Sequence, residues 1–159
     1  MYGTSGQREP LTAPPSGWID IPATGDARGH RIPAEGEQAR RMLRALRSKY
    51  AVDARQIFVV SPFRDVADGI EELLREFPGV RGGTVHTAQG KESDVVLFIL
   101  GGNPAKPGAK QWASQRPNLV NVAVSRARRR LYVIGDRTAW SKYRHFDTLS
   151  GYLTSGLDR

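Results

Sequence analysis

The feature that most constrains this chain is the apolar run from Asp94 to Leu100, Val-Val-Leu-Phe-Ile-Leu after the aspartate, closed by Gly101-Gly102. A run this short, rich in β-branched and aromatic residues, reads as a strand buried on both faces. Such a strand needs helices on either side, which points to an α/β sheet rather than a sandwich or a bundle. Just before it, Gln89-Gly90-Lys91-Glu92 is a polar turn with a permissive glycine, a cation and two side chains able to grip a polar ligand. Polar turns beside buried strands are where open α/β sheets carry ligand groups. A second segment, Asn121 to Arg130 (NVAVSRARRR), feeds another apolar strand, Leu131 to Ile134.

The remaining pattern fits the same sheet. Trp18 to Ile21 reads as a short edge strand. Glu35 to Tyr50 is a helix, with Ala39, Met42, Leu43, Leu46 and Tyr50 on one stripe. Glu35 and Glu37 fall in its first turn, where the helix dipole favours acids. Its arginines, 40, 41, 44 and 47, read as a solvated face. Gln56 to Val60 is a buried strand ended by Ser61-Pro62, and Asp65 to Phe77 is the next helix. Strands near 83–85 and over 94–100 follow. Gly101 to Pro117 reads as a long loop, too long for a simple connection. A helix from Pro117 to about Arg128, a strand over 130–135 and short helices over 137–144 and 146–153 complete the chain. The expected fold is a three-layer α/β domain with a mostly parallel sheet flanked by helices. Residues 1–17, rich in Gly, Pro, Ser and Thr, are expected to be a disordered leader or a junction, with one domain over 18–155.

Composition narrows the chemistry. The chain has 159 residues, no cysteine and a net charge of +8. Disulfide frameworks and cysteine zinc sites are excluded, and the charge favours a polyanionic partner. No apolar run approaches the ~20 residues of a membrane span, so no membrane partner is expected and the default is a cytoplasmic protein. His30, His86 and His145 show no metal spacing, and no metal site is expected. Gly90-Lys91 fails as a phosphate loop, because Val85 stands where the first glycine is needed and Glu92 where a Ser or Thr should hold magnesium. No strand ends in a paired acid, and HExxH, G-x-S-x-G and G-x-G-x-x-G are all missing. What remains is the Gln-Gly-x-Glu turn with the arginines of Ser-Arg-Ala-Arg. An arginine there can stabilise a transferring phosphoryl group and a carboxylate can accept from a ribose. The residues alone leave open that Arg126, Arg128, Arg129 and Arg130 form surface ion pairs and that Glu92 caps a turn.

Three segments resemble motifs of one family in order and spacing. Val60-Ser61-Pro62-Phe63 resembles motif IV, Thr84 to Asp94 (TVHTAQGKESD) resembles motif V, and Asn121 to Arg128 (NVAVSRAR) resembles motif VI of superfamily 1 DNA/RNA helicases. The chain is similar, over about Trp18 to Trp140, to the second, C-terminal RecA-like domain of the nonsense-mediated-decay and RecD-like group. The resemblance implies that Arg126 reaches the γ-phosphate of ATP as an arginine finger. It implies that Gln89, Gly90 and Glu92 line the nucleotide, with Glu92 at the ribose, and that Thr84, His86 and Thr87 contact the nucleic-acid backbone. Arg64 stands near, but out of register with, an arginine that the family carries after motif IV, and is the candidate second phosphate contact. Ser125 replaces the more usual threonine and keeps the hydroxyl. The implied partners are single-stranded DNA or RNA and a first RecA-like domain, which would bring the phosphate loop and the acid for Mg2+. ATP with Mg2+ is therefore expected only with that domain, and the domain by itself is expected to hydrolyse none. The competing expectation is a binding module without enzymatic activity on a RecA-like fold.

Overall fold

A computed structural model describes residues 10–23, 25–84 and 92–153. Five strands form one sheet in the order β1-β5-β4-β2-β3, and every pair is parallel. They are β1 (Gly17–Asp20), β2 (Ile57–Ser61), β3 (Arg81–Thr84), β4 (Ser93–Ile99) and β5 (Ala127–Gly135). The apolar run after Asp94 is the central strand β4, and Val95 to Leu100 are all buried. Parallel strands need crossovers, and these put helices on both faces. Helix α1 (Pro33–Arg44) joins β1 to β2, and α2 (Arg64–Leu74) joins β2 to β3. The two helices meet each other over the face that carries Ile99. From β4 to β5 the chain steps the other way across the sheet, so a right-handed crossover sends α4 (Pro117–Arg126) over the opposite face. Two short helices, α5 (Arg137–Trp140) and α6 (Phe146–Tyr152), follow β5, and Phe146 stacks on Phe98 at 6.4 Å between ring centroids. This is the expected three-layer arrangement.

Several local expectations are corrected. Within the segment read as a loop, Gly108–Ser114 forms a helix, α3. Lys110, counted there as a loop lysine, is buried, with its ammonium 3.5 Å from the Gly102 carbonyl. Helix α1 starts at Pro33 and passes at Ala45–Lys49 into a wider π turn. Strand β5 starts earlier than its apolar run because Ala127 to Arg130 also pair with β4. Residues 10–16, read as part of a disordered leader, pack on the sheet. Ala13 is buried in the core, and the Tyr132 hydroxyl donates to the Pro14 carbonyl. The Arg130 guanidinium donates to the carbonyls of Leu11, Ala13 and Pro14. Residues 1–9 lie outside the described residues.

Glu35 lies in the first turn of α1, as expected, but nothing in its spacing signals its burial: it is 1% exposed. One carboxyl oxygen accepts from the Gly101 N–H at 2.9 Å, and the other is buried with no partner among the described residues. Burial pushes its pKa up to about 8, helped by Asp136, while the Gly101 N–H and Lys110 pull the other way. Glu37 is expected in the same first turn, but because α1 already starts at Pro33 it falls in the second, where it is exposed and pairs with Arg40, which also reaches Glu76 at 2.9 Å.

Candidate functional site

In a parallel sheet every strand points the same way, so the sheet has two distinct ends. Ser93 pairs with Ala127 at the start of β4 and β5. Glu92 immediately precedes the first and Arg126 the second, so the structure brings these two candidates together at the N-terminal end. Arg126 is the last residue of α4, where the chain turns out of the helix to enter β5. Next to it Ser125 keeps its hydroxyl on the Val122 carbonyl, at 3.2 Å.

The arginines after Arg126 are engaged elsewhere. Between Ser93 and Val95 the register of β4 on β5 shifts, leaving an extra residue on β5. The bulge sets Arg128 and Arg129 against Asp94, at 3.2 and 3.9 Å. Arg128 also donates to the Gln56 side chain, which accepts the Asp94 N–H as well. Arg130 is clamped on the carbonyls of residues 11–14. Arg126 differs from all three. Its Nε is buried and has no hydrogen-bond partner among the described residues. An unpaired buried guanidinium N–H is costly, which makes it a donor waiting for an acceptor. Farther along the same end, Arg81 donates to the Ser93 hydroxyl at 3.0 Å and lies over the Phe58 ring. Arg81, Arg126, Arg128 and Arg129 thus outnumber the carboxylates of Glu92 and Asp94 at the start of β4 and β5, a setting suited to an anion.

Arg64 and Thr84 are not part of that cluster. Thr84 ends β3 and pairs with Ser61 at the end of β2, and Arg64 opens α2 just beyond. Both lie at the C-terminal end of the sheet, the strand length away from Arg126. Arg64 is therefore set apart from Glu92 and Arg126 across the sheet. The reason is topological: β2 must run the full sheet before α2 can begin. Arg64 is exposed, whereas Thr84 is buried. His86, Thr87, Gln89 and Gly90 lie outside the described residues.

The sequence reading missed an aromatic row at the C-terminal end. His30 stacks on Phe63 at 4.5 Å, and Phe63 stacks on Trp112 of α3 at 6.4 Å. The Arg116 guanidinium lies 4.5 Å from the Trp112 ring centroid. The available signal was an aromatic and an arginine, Trp112 and Arg116, close together in a segment read as loop. No group of three or more His, Asp or Glu among the described residues is placed to hold a metal ion. No helix among them is long and apolar enough to cross a membrane.

A five-stranded parallel sheet covered on both faces by helices is that of a RecA-like α/β domain of the phosphate-loop NTPase type. Residues 15–138 match the AAA domain family, and the chain belongs to that family. A probable helicase of Dictyostelium discoideum is 30% identical over 88 residues, which cover 55% of this chain and 9% of that protein. The chain thus spans less than a tenth of the length of that relative.

Proposed function

We propose that this chain is the second RecA-like domain of an ATP-dependent helicase core, with the two ends of its sheet serving two ligands. At the N-terminal end Arg126 meets the γ-phosphate of ATP held by a first RecA-like domain, and Glu92 accepts from the ribose. Gln89 and Gly90 line the nucleotide between them. The first domain contributes the phosphate loop and the acid that holds Mg2+, neither of which this sequence contains. At the C-terminal end Thr84, with His86 and Thr87 beyond it, faces a single strand of DNA or RNA, and Arg64 belongs with them rather than with the nucleotide.

The observation that carries the reading is the contrast among the four arginines between 126 and 130. Arg128, Arg129 and Arg130 are bound within the domain, while the buried Nε of Arg126, beside Glu92, has no partner among the described residues. The helicase relative and the family match support the same reading.

The test is binding of labelled single-stranded DNA and RNA across a salt series, with and without a non-hydrolysable ATP analogue. The reading predicts an affinity that falls steeply with salt, since each neutralised phosphate adds about 0.7 to the slope. Binding that ignores salt, or its absence at low salt, would refute the nucleic-acid half of the reading.

A further inference from the structure

Trp112 is the large aromatic residue of the C-terminal end that folding leaves open. It is 42% exposed, although Phe63 packs against it. Burying a tryptophan is strongly favourable, so one left half-open at a rigid position can still gain by covering its ring. It is held rigidly. Phe63 is buried and fixed between His30 and Trp140, at 4.5 and 6.2 Å between centroids, and α3 is anchored through buried Lys110 and Ala113. Beyond the end of α3, exposed Arg116 at the start of α4 lies over the Trp112 ring and adds a cation to it. An exposed aromatic ring with a guanidinium cation against it suits a ligand that is both flat and anionic. Unpaired nucleic-acid bases on a phosphate backbone have that chemistry.

We infer that Trp112 and Arg116 form a base-stacking platform for single-stranded nucleic acid, at the end of the sheet where Thr84 and Arg64 lie. This rests on the nucleic-acid half of the proposed function and adds to it a residue pair outside the three resembling motifs. The platform reads no sequence, because every base has a stacking face, and it fixes the strand beside the end of β2.

The chain reports on this itself. Of its three tryptophans, Trp18 and Trp140 are fully buried, so strand-induced quenching of tryptophan fluorescence reads Trp112. The probes are oligodeoxythymidylate and an abasic strand of equal length. The expected result is quenching by the first and not by the second. Trp112→Ala should abolish the quench and weaken oligodeoxythymidylate binding about 5- to 100-fold with an unchanged salt slope. Trp112→Phe should restore most of the affinity, which separates stacking from a merely structural effect, and Arg116→Ala should weaken binding as well. Equal affinity of Trp112→Ala and the unaltered chain for oligodeoxythymidylate would overturn the platform. So would equal affinity of the unaltered chain for the two strands, while leaving the nucleic-acid reading intact. Failure of the unaltered chain to bind either strand would refute that reading and the platform with it.

Discussion

At the residue scale, similar side chains do different work because of where the backbone sets them. Arg130 and Arg126 come from one basic run, yet Arg130 spans the carbonyls of Leu11, Ala13 and Pro14 and ties residues 10–16 to β5. Arg130→Ala should therefore lower stability by about 2 kcal/mol, read from urea unfolding, since its bonds are charge-assisted. Glu35 makes a second prediction. Its folded pKa of about 8 lies above the ordinary 4.5, so the folded chain holds a proton that the unfolded chain has released. Stability from this group is complete below pH 4.5 and is lost as pH rises through about 8, by on the order of a few kcal/mol. Glu35→Gln keeps an acceptor for the Gly101 N–H and should flatten the fall in urea midpoint over that range. An unchanged pH profile would show that Glu35 is ionised in the folded chain.

At the scale of elements, the strands and long helices were legible because each carries its own periodicity or apolar run. Helix α3 was not, since prolines at 104, 107 and 117 frame it and only seven residues form it. The burial of Glu35 was equally hidden. It depends on the Gly101-Gly102 turn, which bends back to α1 and whose conformation is set by tertiary contact. That turn is testable. Gly102 has φ +104°, and an added Cβ would meet the Lys110 Cε and Nζ at 3.2 Å and Trp140 at 3.3 Å. Gly102→Ala should cost about 1–3 kcal/mol, read as a lower thermal midpoint. For the site, the sequence told which residues resemble helicase motifs. It did not tell that Arg64 and Arg126 fall at opposite ends, because that follows from strand direction and register. Nor did it separate Arg126 from Arg128 to Arg130, which takes a bulge and a partner strand to see.

At the scale of the whole molecule, the parallel sheet is a spacer. One end carries Glu92 and Arg126, the other Thr84, Arg64 and the Trp112 platform. This layout predicts that damage at one end leaves the other working. The measurement that tests it most directly is made on a helicase core in which this domain is joined to a phosphate-loop domain. ATP turnover and single-strand affinity are read side by side for the unaltered core and for Arg126→Ala. The account predicts turnover reduced by ~10³ or more, the worth of an arginine finger, with strand affinity nearly unchanged. Full turnover in Arg126→Ala, or strand affinity lost along with turnover, would contradict it.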